Sequence, residues 1–255
     1  MIWITGDTHG DFHRLSIKNF PEQKSMTRDD FVIILGDFGG VFCGSKEENY
    51  WLDWLENKNY TTLFIDGNHD NFPLLETYPV VTFCGVLTHQ IRPHVYHLCR
   101  SQLFQLDGQN FFVMGGAQSH DALILSPEHP NFRRKKKLYR KYQIPFRVSG
   151  ERWWPEDRPR MPEYLRATTH LYTGHWPEDC IILTHCAPTD IQQQFFPCYP
   201  QNYLTDFLMR IHQTVPYQHW FCGHYHQDLH LDEERFTIVY QKMIQLTKKE
   251  GFFNE

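Results

Sequence analysis

Two histidines one residue apart, His224 and His226 in "GHYH", follow the apolar run "HWF". In an extended strand the side chains at i and i+2 share a face, so both imidazoles can aim at one point once the strand ends. Four other apolar runs end in the same kind of residue. "IWIT" leads to Asp7 and His9, "FVIIL" to Asp37, "TLFI" to Asn68, His69 and Asp70, and "CIILT" to His185. Singly, these residues have ordinary readings: Gly-Asp after a strand is a common turn, Asn-His-Asp suits a loop, and a lone histidine is usually a satisfied polar group. Their recurrence at the end of one apolar run after another points to a shared site. The inventory is oxygen and imidazole without thiolate, a donor set that suits Mn, Fe or Zn rather than a structural cysteine-zinc site.

The elements that must position these residues are legible in the same runs. Short β-rich apolar stretches bounded by glycine read as buried strands, and the glycines permit the positive φ or close backbone approach that a tight loop needs. The step from Asp7 to Asp37 and the step from Asp37 to Asn68 are each about the length of a strand–helix–strand unit, which predicts parallel neighbours joined by crossovers. Ser45 followed by Glu48 predicts a capping box, and Trp51, Leu52, Trp54 and Leu55 form one apolar face, which together predict a helix over 46–58. A second helix is expected at "YLTDFLMRIH", and further strands at 110–116 and 236–241. Open sheets of this kind gather ligands at the carboxyl ends of their strands.

A chain of 255 residues with 41% hydrophobic content can bury one large core, so a single domain over 1–255 is expected. No stretch approaches the roughly 18 to 20 apolar residues of a membrane span. The start, "MIWITGDTHG", has neither a basic leader nor a small-residue cleavage site, so a cytoplasmic protein is expected. Seven cysteines without a C-x-x-C pair fit neither a disulfide framework nor a zinc ribbon and read as reduced thiols packed as small apolar residues. A net charge of -5 excludes generic coating of nucleic acid by the whole surface and leaves room for a local basic patch. The tail "QLTKKEGFFNE" is charged and expected to fray, and His13, His120, His175 and His212 read as structural or surface groups.

Between Ala117 and Cys180 the strand rhythm breaks. The stretch is polar and proline-bearing, and it contains "RRKKKLYRK", seven basic residues in nine. We read about 117–178 as an insertion on the same domain. Such a charge run is usually a solvated helix face or a loop. Here Phe132, Tyr139, Tyr142, Phe146, Trp153 and Trp154 interleave with the cations, a composition in which aromatics stack bases and Arg or Lys grip phosphates.

Taken in order, "GDTHG", "LGDFGG", "GNHD", "LTHC" and "GHYH" resemble the five blocks of the calcineurin-like metallophosphoesterases, over residues 5 to 226. The resemblance implies a four-layer α/β/β/α sandwich with a dinuclear metal centre on one edge. Carried over block by block, Asp7, His9 and His226 would hold the first metal, Asn68, His185 and His224 the second, and Asp37 would bridge them. His69 would protonate the leaving group, with Asp70 as its orienting partner. Two divalent ions about 3.5 to 4 Å apart clamp a phosphate and lower the pKa of a bridging water. Against two carboxylates and one hydroxide they leave a single positive charge, which attracts a phosphate anion. Mn²⁺ suits the donors first, with Fe or Zn as alternatives.

Protein Ser/Thr phosphatases share these blocks but continue the second into Asp-Arg-Gly and begin the third with an arginine. Here Asp37 is followed by "FGGVFCG" and Asp66 stands where that arginine would be, departures that also count against the diadenosine tetraphosphatases. The chain instead resembles bacterial and phage metallophosphoesterases marked by "GGAQSHD" (115–121) and "WWPED" (153–157). These motifs suggest that the region folds back over the metals as a cap, with Ser119, Asp121, Arg133, Arg134 and Arg158 as candidate substrate-binding residues. The function expected is metal-dependent phosphoester hydrolysis, a phosphodiesterase acting on a nucleotide or single-stranded nucleic acid before a phosphomonoesterase. A non-catalytic scaffold of the same fold is disfavoured because all seven expected ligands and His69 are present.

Overall fold

The computed structural model describes residues 1–173 and 176–247. Strands β1 (Ile2–Thr5) and β2 (Phe31–Leu35) precede helix α1 (Lys46–Glu56), strand β3 (Thr61–Ile65) and the single turn α2 (Phe72–Leu75). A run of strands follows: β4 (Val80–Phe83), β5 (Val86–Arg92), β6 (Val95–Leu98), β7 (Gln102–Leu106) and β8 (Gln109–Met114). Next come β9 (Leu123–Leu125), α3 (Phe132–Lys141), β10 (Phe146–Val148) and α4 (Met161–Tyr172). The last third holds β11 (Ile181–Thr184), α5 (Thr189–Phe195), α6 (Tyr203–Thr214), β12 (His219–Cys222), β13 (Leu229–Leu231), β14 (Phe236–Ile238) and β15 (Ile244–Leu246).

The strands build one sheet in the order β15-β1-β2-β3-β6-β5-β4 and a second in the order β13-β14-β12-β11-β8-β7. The pleat explains why they stack. Ile2, Ile4, Ile33, Leu35, Leu63 and Ile65 of the first sheet pack against Phe111, Val113, Ile181, Leu183 and Phe221 of the second. Their alternating neighbours Trp3, Val32, Ile34 and Phe64 face outward into a cluster with Leu52 and Leu55 of α1. On the far side Phe112, Ile182 and Trp220 meet Tyr164 and Ala167 of α4 and Leu204, Leu208 and Ile211 of α6. Two sheets with an apolar set on each face, covered outside by helices, give the expected four-layer α/β/β/α sandwich.

Several elements differ from the sequence reading in instructive ways. Helix α1 ends at Glu56, because Asn57 caps it by donating to Asp53 O through both its backbone and its side chain. Only half of the capping box forms: Ser45 Oγ accepts from Glu48 N, while the Glu48 carboxylate turns back to the N–H groups of Phe42, Cys43 and Gly44. β1 and β2 are parallel neighbours as expected, but their connection carries the short 3₁₀ turns His13–Leu15 and Pro21–Ser25 instead of an α-helix. The tail begins ordered, since β15 pairs antiparallel with β1 at Ile2–Leu246. Its residues 248–255, and His175, lie outside the described residues.

The stretch from Ala117 onward is not all excursion. β9 and β10 pair in parallel as a small separate ribbon, and the basic run forms α3, which buries none of its residues. α4, by contrast, belongs to the outer helical layer. No helix among the described residues is long and apolar enough to cross a membrane.

Candidate metal centre

β1, β2 and β3 are parallel neighbours in one sheet, and β11 and β12 are parallel neighbours in the other. Their carboxyl ends open at one edge of the sandwich, and there the five loops that follow them meet. The first sheet brings Asp7, Asp37 and Asn68; the second brings His185, His224 and His226. Glycine makes the approach possible. Gly36 has φ +93°, and a Cβ built on it would lie 2.2 Å from His185 Nδ1, while one on Gly67 would lie 2.1 Å from Asp37 Oδ1. Any side chain there would occupy the site itself.

Each carboxylate is held by the backbone of another loop. Asp7 Oδ1 accepts from His224 N at 2.9 Å, and Asp37 Oδ1 accepts from His69 N at 2.8 Å. Arg14 Nη2 donates to Asp7 O at 2.7 Å, fixing the first loop from behind. His9, Asp37, His224 and His226 all adopt positive φ, between 45° and 71°. Such backbone costs about 1 to 2 kcal/mol per residue in a non-glycine position and gathers where function requires a side chain to be re-aimed.

The donors converge. Asp7, His9 and His226, the trio expected on the first metal, offer ligand atoms all within 4.8 Å of one another, and so do Asp7, Asp37 and His185. His9 Nε2 and His226 Nε2 are 3.0 Å apart, and His185 Nε2 lies 3.3 Å from Asn68 Oδ1 and 3.5 Å from Asp37 Oδ1. The His224 ring centroid stands 5.0 Å from that of His185. Asp7 Oδ2 is buried without an aligned hydrogen-bond donor, although His226 Nε2 is 3.2 Å away. A buried carboxylate oxygen faced by imidazole nitrogens and lacking an aligned hydrogen bond is a cation's environment. The residues fit a pair of divalent ions.

Electrostatics agree. Burial disfavours charge on His185, yet Asp37 and Asp7 prevail and push its imidazolium up to about 10. Burial likewise opposes ionisation of Asp37, but His185, His69 and His9 hold its carboxyl well below the usual range. Burial drives His224 well below the ordinary histidine value. The cluster therefore balances buried carboxylate charge with protons where cations would serve.

His69 and Asp70 part company. Asp70 gives its oxygens to the N–H groups of Gly67 at 2.7 Å and Gly39 at 3.4 Å, so it shapes the loop and does not orient the His69 ring. Burial, then the Asp37 charge, pushes its carboxyl up to about 7. The group that meets His69 is Arg147 from β10, whose Nη2 lies 3.0 Å from His69 Nε2. Arg147 also donates to Ser119 Oγ at 3.2 Å and pairs with Asp121. Ser119 Oγ accepts in turn from Asn68 Nδ2 at 3.1 Å.

The two motifs that frame this segment are physically linked. Asp157 of "WWPED" accepts from Ser119 N at 3.0 Å and from Trp153 Nε1 at 2.9 Å, and its carbonyl accepts from Ala117 N. Asp157 thus sets the loop that presents Ser119. Arg158 is exposed with Nε 3.6 Å from Asp157, and Arg133 and Arg134 lie on exposed α3 beside His129 and Phe132. None of these three fills the place that Arg147 takes. His120 and Tyr199 also reach the cluster, with ring centroids 6.0 Å and 5.3 Å from that of His224. The sequence offered no signal for Arg147 or Tyr199, which stand in no motif; His120 stands inside "GGAQSHD" and could have been found there.

The family model of the calcineurin-like phosphoesterases matches residues 1–228. No curated protein matches this chain. Among solved structures, the chain is similar to a phosphopantetheinyl hydrolase from Mycobacterium tuberculosis, with 17% identity, 94% of this chain and 89% of that one covered, and a TM-score of 0.44. Where the match runs from the first strand through "GHYH", the five strand ends meet in one carboxylate–imidazole cluster. This protein belongs to the calcineurin-like phosphoesterase family, and is a metal-dependent hydrolase of phosphoesters.

Proposed function

We propose that the enzyme cleaves phosphodiesters, with a nucleotide or a short single strand of nucleic acid as its substrate class. Asp7, His9 and His226 would hold one divalent ion, Asn68, His185 and His224 a second, and Asp37 both, with Mn²⁺ ahead of Fe or Zn on donor type. Bound ions supply an activated water and draw the negative charge of the phosphate. The chain's own residues do the rest. His69 would protonate the leaving oxygen once a phosphate draws Arg147 off its Nε2, where the guanidinium now donates, and a proton from solvent takes that position. Residues 117–160 act as the cap over this edge of a single domain, and Ser119 helps seat the phosphate.

The observation that carries the diester reading is the Arg147–Asp121 pair beside His69. A guanidinium already shared with a carboxylate suits a monoanionic diester, whereas a dianionic monoester calls for unshared cations. α3 supports the nucleic-acid class: its cations lie with Phe132, Tyr139, Tyr142 and Phe146, which can stack bases.

The test is hydrolysis of bis-p-nitrophenyl phosphate and p-nitrophenyl phosphate side by side, with Mn²⁺ returned to stripped protein. Metal-dependent preference for the diester is expected, and Asp121→Asn, by freeing Arg147, should shift the ratio toward the monoester. A monoester preference in the unaltered enzyme overturns the diester reading. Absence of metal-dependent turnover on either compound and on oligonucleotides favours the scaffold instead.

A further inference from the structure

Behind the loop that carries Asn68 and His69 lies a second cluster of donors that the phosphoesterase chemistry does not use. β5 and β6 are antiparallel, and His89 and His97 are direct register partners, so their side chains share a face. Cys99 follows His97 by two residues and returns to that same face. His89 Nδ1 and His97 Nδ1 are 3.0 Å apart, Cys99 Sγ is 3.7 Å from His89 Nδ1, and all three ligand atoms fall within 4.8 Å of one another. A tetrahedral ion with Zn–N near 2.0 Å and Zn–S near 2.3 Å separates its ligands by about 3.4 Å for N–N and about 3.6 Å for N–S. The observed pairs bracket those separations.

The surroundings also match a metal site. His97 Nε2 stands 3.1 Å from Asp66 Oδ1, which places the ring proton there and leaves the Nδ1 lone pair facing His89 and Cys99. A carboxylate that accepts from the remote nitrogen of an imidazole is the usual support for a metal-binding histidine. Asp66 itself is fixed by Arg100 Nε at 2.8 Å. The cluster opens on a cavity of about 80 Å³ whose lining includes Phe72, Glu76, Glu156 and Arg160, so a fourth position has room for water. Burial, aided by His97, lowers His89 to about 4, which keeps its ring neutral and a base.

We propose that His89, His97 and Cys99 form a third, mononuclear metal site that takes Zn²⁺ or a similarly thiophilic divalent ion. Binding converts the Cys99 thiol to thiolate with release of one proton, the His89 ring keeping its remaining proton on Nε2. Burial pushes the free thiol up to about 11, so capture strengthens with rising pH. The bound ion would tie β5 and β6 to Asp66, whose carbonyl also accepts from Gly116 N at 2.9 Å.

The proposed dinuclear cluster contains no sulfur, so a thiolate-to-Co²⁺ charge-transfer band in the near ultraviolet that depends on both Cys99 and His89 reports this site. Metal-stripped protein titrated with Co²⁺ should develop that band, and Cys99→Ser and His89→Ala should each lose it. In the unaltered chain, Zn²⁺ should slow iodoacetamide alkylation of Cys99, mapped by mass spectrometry, by about tenfold or more. Absence of the band, its survival in either variant, or an unchanged alkylation rate at Cys99 overturns the proposal.

Discussion

At the residue scale, the chemistry turns on which groups touch and which merely stand nearby. The cluster of candidate donors was legible because metal chemistry demands particular donor types, and those types recur at strand ends where little else explains them. Arg147 was illegible because it lies 78 residues from His69 and is brought there by the pairing of β9 with β10. Asp70 misled through adjacency: it follows His69 in the chain, yet its oxygens point into the loop. His69→Ala should therefore keep both metals, since no ligand is lost, while slowing hydrolysis of a methyl or other alkyl ester by about 10² to 10⁴. A nitrophenyl leaving group, which departs without a proton, should suffer far less. Equal losses on the two leaving groups would sink the general-acid role.

At the element scale, the strands were read well because two-faced burial leaves continuous apolar runs, and glycine punctuation marks where they stop. The β1–β2 connection and the end of α1 were read less well, because local bonds such as those of Gln23 and Asn57 decide them and these carry no periodicity. The glycines give a direct test. Gly36→Ala places a Cβ against His185 Nδ1 at positive φ, whereas Gly44→Ala has positive φ with nothing within 4 Å. The second change should cost about 1 to 2 kcal/mol of backbone strain. The first should cost more, about 3 to 5 kcal/mol, and displace a ligand as well. Urea midpoints for both variants, with metal counted by elemental analysis, decide it; equal midpoints would mean that the His185 approach is dispensable.

The core strand β12 carries a second test. His219 is buried with Nε2 2.8 Å from Thr237 Oγ1, and burial, with His230 nearby, lowers it to about 3. A histidine depressed in the folded state binds its proton first in the unfolded chain, so stability falls as pH drops from about 6.5 toward 3 and is fully present above that window. His219→Gln removes this titration. Its urea midpoint should decline less steeply than that of the unaltered protein between pH 6.5 and 4.5; parallel declines would mean that other groups govern acid sensitivity.

For the whole molecule, the decisive fact is that the proposed ligands come from both sheets. Asp7, Asp37 and Asn68 follow strands of one sheet, and His185, His224 and His226 follow strands of the other, so ions held by these residues would sit across the seam of the sandwich. The apolar filling between the sheets holds them face to face along most of their length. At the site edge that filling gives way to buried Asp7 and Asp37, whose charges repel one another unless cations or protons stand between. Metal loss should then act on the fold as a whole and not only on turnover. An ion present at about 100 times its dissociation constant contributes about 2.7 kcal/mol. For a chain of this size each kcal/mol shifts Tm by about 2 to 4 °C. Chelation should thus lower Tm by several degrees, and restoring Mn²⁺ should recover it. Asp37→Asn supplies the control, because the residue proposed to hold both ions is then neutral. Its Tm should respond to chelator only weakly. A full-sized response in that variant, or none in the unaltered chain, would show that the two sheets are held together without help from the site they share.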